Sequence, residues 1–286
     1  MMKKTIKIVI TQVIYFIKMC LNAFRWLLQM FLNSDFRNHI VQEVGQNDFV
    51  ILGNGDSLFE DIKKIDIINS TLCAVNFFYK SPLFKEMRPC NYVLADPYFF
   101  TKREYIEDII SEVEWEMKIY VPYVAWKKNK SLYGEFKDNI SVIPYNSIEW
   151  TSFDFLRFYL YKKGMAMPRC QNVLVPSIYI AINRGYKRIV ICGADNSWTK
   201  TLVVDEFNRA CTALPHFYDK EKIDYKPWVD INGKQFKIHE ILNFLSMTFA
   251  SYHMVRKYAD FMNCKIVNLT KGSFIDAFER KSFIDE

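Results

Sequence analysis

From Lys4 to Asn33 most positions are apolar, and the polar ones follow a helical rhythm. Lys4, Lys7, Thr11, Lys18, Asn22, Arg25, Gln29 and Asn33 recur at intervals of three, four or seven. At 100° per residue they fall within a stripe about 80° wide. Tyr15 fills the gap in that stripe, and the rest of the circumference, including Ile14, Phe16, Phe24, Trp26, Leu27 and Phe31, is largely apolar. The pattern predicts an amphipathic helix over residues 1–34, then a linker over 35–48. After Asp48 the period changes. Short apolar runs at Phe49–Leu52, Leu72–Val75, Tyr92–Ala95, Met117–Val121, Ile140–Ile143, Arg188–Cys192 and Lys265–Asn268 have the length of buried strands. Helical patterns separate several of them, at Lys102–Ser111, Phe153–Tyr161, Leu174–Arg184 and about Lys237–Phe261, and Gly185 stands where a helix-ending glycine belongs. This alternation predicts one Rossmann-like α/β domain over 49–286, built on a mostly parallel, doubly wound sheet. The irregular stretch between Asp195 and Ile238, rich in Trp, Tyr, His and charge, reads as a lid over about 196–237.

Charge narrows the partners. The chain carries 38 Lys and Arg against 32 Asp and Glu. Five of those bases lie in the first 34 residues with no acid before Asp35, so the body holds 33 bases against 32 acids. A nearly neutral body does not indicate a nucleic-acid surface. The basic excess belongs to the N-terminal helix, where Lys18 interrupts the apolar run too early for a charge-free span and no small-residue cleavage site follows. A helix lying in the membrane interface fits best, with packing on its own domain, a twin subunit or a true span as the alternatives. Seven scattered cysteines without a C-x-x-C pair point to neither a disulfide framework nor a zinc site, and to a reducing cytosol. Asp205-Glu206 is not joined by a second cluster at ligand spacing, so no metal is indicated.

The strand ends carry the candidate chemistry. The first strand runs into Gly53-Asn54-Gly55-Asp56-Ser57-Leu58, the layout of a phosphate or nucleotide turn. A tight strand–helix turn without ligand has the same spacing. The polar residues closing successive strands are Asn54, Asn76, Asp96 and Asp195. In a doubly wound sheet all four would gather on one edge, where ligands bind, although each is also able to cap a helix.

Val50-Ile51-Leu52-Gly53-Asn54-Gly55-Asp56-Ser57-Leu58 resembles the opening of the bacterial sialyltransferases of glycosyltransferase family 42, which begin with a Gly-Asn-Gly-Pro-Ser-Leu turn. The likeness continues at Ala74-Val75-Asn76-Phe77-Phe78-Tyr79, at Ala95-Asp96-Pro97-Tyr98-Phe99-Phe100 (the family has an Asn-Pro pair there), at Arg169, and from Ala181 through Val190 to Gly193 and Asp195. The resemblance implies transfer of a sialic acid, Kdo or similar sugar from a CMP-activated donor, without an obligatory metal and with Mg²⁺ left open. It implies donor binding by Gly53, Asn54, Gly55, Ser57, Asn76, Asp96 and Arg169. Asp56 and Asp96 depart from the family's Pro and Asn, and an unpaired acid at Asp96 would repel a phosphate. The same turn occurs in MptE-like 6-hydroxymethylpterin diphosphokinases, which use ATP with Mg²⁺; a non-catalytic membrane-bound scaffold is the third reading.

Sugar transfer with inversion needs a base for the acceptor's proton, and histidine suits neutral pH. His216, within Pro215-His216-Phe217-Tyr218-Asp219, and His239, at the start of the long helix, are the candidates, with Tyr218 as donor to the leaving phosphate and Asp195 as a further acid. The expected setting is the cytoplasmic face of a bacterial inner membrane, in surface polysaccharide synthesis. The partners are a nucleotide-activated sugar, a glycan or glycolipid acceptor and the membrane surface through residues 4–33; a homo-oligomer is compatible with the sequence.

Overall fold

The computed structural model describes residues 2–42, 47–133, 136–213 and 225–280. Every apolar run forms a strand: β1 (Phe49–Leu52), β2 (Thr71–Val75), β3 (Asn91–Val93), β4 (Met117–Pro122), β5 (Ile140–Tyr145) and β6 (Arg188–Cys192), with Lys265–Asn268 last. Three short strands intervene, β7 (Val203–Val204), β8 (Ala210–Thr212) and β9 (Lys226–Pro227), so the last is β10. The main sheet has the order β10-β6-β1-β2-β3-β4-β5 and is parallel throughout. The chain winds outward from β1 to β5, then returns to place β6 on the other side of β1. Its topological switch point therefore lies between β1 and β6.

Both faces of the sheet are covered, which is why its strands read as unbroken apolar runs rather than alternating ones. The helices that matter below are α1 (Met2–Asn33), α2 (Leu58–Asp61), α3 (Arg103–Glu112), α4 (Asp154–Lys162), α5 (Leu174–Arg184) and α6 (Ile238–Phe261). Phe49 and Ile51 face one core with Ile178, Ile182 and Tyr258 of α5 and α6. Val50 and Leu52 face the other with Ile106 and Ile109 of α3. Gly185 ends α5 at φ 99°. Past the end of β3, Leu94 N–H still reaches the Tyr120 carbonyl of β4 at 2.9 Å, and the Asn76 side-chain oxygen takes the two donors after it, the N–H groups of Ala95 at 3.0 Å and Asp96 at 3.3 Å.

The two halves of α1 differ. Met19, Trp26 and Met30 are buried, and Trp26 meets Trp150 edge-on with ring centroids 5.0 Å apart. Ser152 Oγ donates to the Met19 carbonyl at 2.6 Å, and Asn22 Nδ2 to that of Thr151 at 3.1 Å. Asn146 fixes the helix end, donating to the Asp35 carbonyl at 2.8 Å. The second half of α1 is thus part of the domain core, an addition to the expectation of a separate segment over 1–34. Its buried positions flank the polar stripe rather than oppose it, so Ile14, Phe24, Leu27 and Phe31 remain exposed. Residues 4–18 are exposed all round.

Within the stretch expected as a lid, β7, β8 and β9 form a small antiparallel sheet. His216, Tyr218 and Asp219 lie outside the described residues.

Trp26→Ala should cost about 3–5 kcal/mol of unfolding free energy in a denaturant titration, the usual range for emptying a buried tryptophan site. Removing residues 1–14 should change it by no more than about 0.5 kcal/mol. A negligible cost for Trp26→Ala would separate α1 from the core.

Candidate active site

At the switch point the turns after β1 and β6 pack backbone on backbone. Gly53 N–H donates to the Cys192 carbonyl and Gly55 N–H to that of Gly193, each at 2.8 Å. A Cβ on Gly53 would stand 2.3 Å from the Gly193 carbonyl oxygen, and one on Gly55 would stand 1.8 Å from Asp195 Oδ2. The glycines of the nucleotide-like turn are therefore required by the neighbouring turn, which accounts for their spacing without any ligand. The same approach opens a crevice of about 800 Å³ beyond the C-terminal ends of β1, β2, β3 and β6. That size is ordinary for a small-molecule site.

Asn54, Asn76, Asp96 and Asp195 all line this crevice, as do Gly53 and Gly55. Each also has local work. Asn54 Nδ2 donates to the Val75 carbonyl at 3.3 Å. Asn76 sits at φ 42°, a left-handed backbone that asparagine tolerates better than most residues. Its side-chain oxygen takes the two donors described above, and its own carbonyl accepts from Tyr92 OH at 2.6 Å. Asp96 Oδ1 accepts the Tyr98 N–H at 3.0 Å. Asp195 Oδ2 accepts from Ser57 Oγ at 3.2 Å and its N–H at 3.5 Å.

Behind this edge lies a hub that the sequence did not announce. Asp61, 1% exposed, accepts from Thr270 Oγ1 at 2.7 Å and Gly193 N–H at 3.0 Å, and pairs with Lys64 at 3.2 Å. Ser57 Oγ also lies 3.2 Å from Asp61 Oδ2. Its single proton serves one carboxylate at a time, and Asp61 is already satisfied, so Asp195 is the acid that needs it. The lining also holds Asn172 and Asn196, whose side-chain amides both donate to the buried Tyr252 hydroxyl. Asn172 Oδ1 caps α5 by accepting the N–H groups of Leu174 at 3.2 Å and Val175 at 3.4 Å. The start of α5 thus borders the crevice with the positive end of its dipole. Asn196 follows Asp195 directly and Asn172 opens a predicted helix, which were the available signals for both.

Other candidates sit elsewhere. Arg169 does not line the crevice; it pairs with Glu149 at 2.7 Å, while its neighbours Cys170 and Gln171 do line it. His239 stands exposed in the first turn of α6 and is not among the lining residues, although Phe244 of that helix is. Among the described residues no His, Cys, Asp or Glu group is arranged to hold a metal ion.

The lining carries the carboxylates of Asp56, Asp96 and Asp195 against one described cation, Lys200. Burial raises the Asp96 carboxyl above its ordinary range, opposed by the Tyr98 hydrogen bond. Burial likewise raises Asp195, with Asp61 adding like-charge repulsion and the Ser57 hydrogen bonds opposing it. For a raised acid the anion is the disfavoured form in the folded protein, so each contributes least stability at neutral pH and relaxes on acidification.

No protein-family model matches the chain, and no curated protein matches it in sequence. Among solved structures it is similar to the sialyltransferase CstII from Campylobacter jejuni in complex with the substrate analogue CMP-3FNeuAc, with 16% identity and a TM-score of 0.43 over 83% of this chain and 86% of that one. It is also similar to the monofunctional alpha-2,3-sialyltransferase Cst-I from Campylobacter jejuni, with 14% identity and a TM-score of 0.42 over 85% and 82%. Similarity at this level transfers no substrate and no residue role.

An anionic ligand in this crevice should bind more tightly as pH falls from neutral and Asp96 and Asp195 take up protons. Calorimetry with a phosphodiester of CMP, whose single phosphate charge does not change over this range, should show this, and Asp96→Asn should flatten the dependence. Affinity that weakens on mild acidification would remove these acids from the ligand's surroundings.

Proposed function

We propose that this chain is a glycosyltransferase that moves a sugar from a CMP-activated donor to a glycan or glycolipid acceptor at a membrane surface. The observation carrying this reading is the convergence on one crevice of Asn54, Asn76 and Asp96. These are the residues through which the sequence resembles the donor-binding turns of family 42. On this reading residues 1–34 attach the protein peripherally to the cytoplasmic face of the membrane, and 49–286 form the catalytic domain with a lid over about 196–237.

In the reaction the acceptor oxygen attacks the anomeric carbon, the bond to the phosphate oxygen breaks, and CMP leaves with that electron pair. The acceptor's proton passes to a base. We assign that role to His216 and donation to the leaving phosphate to Tyr218; both follow Ala213, which lines the crevice. His239 is the second candidate and Asp195 the third, the latter bound to Ser57 at the crevice wall. Arg169, beside lining residues, is assigned to the surroundings of the donor.

CMP should raise the melting temperature more than UDP, GDP or ATP–Mg²⁺, since a ligand of the native state stabilises by mass action. A shift with ATP–Mg²⁺ alone would replace this reading with a diphosphokinase. His216→Ala should lower turnover by about 10²–10⁴-fold while leaving CMP affinity intact. Activity retained there and lost in His239→Ala would move the base to the start of α6.

A further inference from the structure

The geometry points to a second lipid-contacting element on the catalytic body itself. The outward stripe of α4, Phe155 and Tyr159 followed by Lys162 and Lys163, rests on an anionic bilayer beside the uncovered apolar face of α1. The proposal builds on the membrane attachment of α1 proposed above.

Helix α4 is apolar on both sides. Its inward residues Leu160 and Tyr161 are buried in the core. Its outward stripe, at helical spacing, presents Phe155 at 79% exposure and Tyr159 at 56%, then two exposed lysines. One exposed phenylalanine is unremarkable by itself, but these are joined to a larger surface. The Phe155 ring lies 5.7 Å from that of Phe153, which lies 5.8 Å from Phe16 of α1. From Phe16 the exposed apolar side of α1 continues through Phe24, Leu27 and Phe31. The two helices thus offer one continuous apolar surface, contributed by segments more than a hundred residues apart in sequence.

Charge selects the occupant. Lys162 and Lys163 close the α4 stripe, and Lys163 Nζ lies 5.8 Å from the centre of the Tyr159 ring. An aromatic with a basic tip beside it suits the headgroup level of a bilayer. The acid at the start of α4, Asp154, is paired with Arg157 at 2.6 Å. Lys4, Lys7, Lys18 and Arg25 of α1 are exposed as well. A second copy docked face to face would bring these bases against their own kind, whereas anionic headgroups neutralise them.

The test uses the full chain in flotation with vesicles of phosphatidylcholine, with and without phosphatidylglycerol. Circular dichroism melting confirms that each variant, altered only at exposed positions, is folded. Phe155→Ser with Tyr159→Ser should weaken binding to both vesicle types by about tenfold, because interfacial affinity scales with buried apolar area. Lys162→Glu with Lys163→Glu should weaken binding only where phosphatidylglycerol is present, by about fivefold or more per lysine, and high salt should erase that difference. Unchanged binding in both, with release of the α1 variant Val13→Asp with Phe24→Asp, overturns the inference and leaves the α1 reading standing. Undiminished binding by that α1 variant overturns both. A concentration-dependent dimer in sedimentation, lost in the Phe155 and Tyr159 variant without change in flotation, assigns the surface to a second copy and also overturns the inference.

Discussion

The contact on which this structure depends is the backbone-to-backbone seating of the turns after β1 and β6. Two hydrogen bonds of 2.8 Å join Gly53 and Gly55 to the carbonyls of Cys192 and Gly193, and neither would form with a side chain in the way. Because β6 returns to the far side of β1, these turns diverge above the sheet once they have met, and the crevice is the space they leave. Asp195 is carried to the rim by the second turn and tethered to the first through Ser57. Asp61 then ties α2 to Gly193 and Thr270, so the edge that would meet a ligand is braced from below.

This bracing explains what a reader of the sequence sees and misses. The seven strands stand out because both sheet faces are covered, so each is an uninterrupted apolar run. Asn54, Asn76, Asp96 and Asp195 stand out because a parallel sheet places successive strand ends on one edge. The partner of the glycines does not, since Gly193 lies 140 residues after Gly53 and its carbonyl leaves no trace in composition. Thr270, separated from Asp61 by 209 positions, is hidden for the same reason. In α1 the polar stripe is legible, yet nothing distinguishes Trp26, which enters the core, from Phe24, which does not. Both are large aromatics, and only the position of Trp150 separates them.

The crevice's polar groups share one property: they are held by the scaffold before any ligand arrives. Asn76 is fixed by two backbone donors and a left-handed turn, Asn172 by the helix it caps, and Asn196 by the Tyr252 hydroxyl. Side chains ordered in advance lose little conformational entropy on binding. The balance of acids over bases works the other way and restricts the charge a ligand can bring. The positive end of the α5 dipole offsets part of that repulsion.

The docking of α1 against Trp150 also shapes how the chain is made. The helix leaves the ribosome well before the segment that receives it, more than a hundred residues later. At roughly 5–20 residues per second that interval lasts on the order of 6–25 s. During it Trp26 and Met30 have no core to enter, and the whole apolar circumference of the helix faces solvent, a chaperone or a bilayer. A nascent helix that meets lipid first would settle there with Trp26 still uncommitted, and the domain would then assemble around an anchor already in place. Attachment would then come before folding, and the membrane would serve as the surface on which the last piece of the core waits.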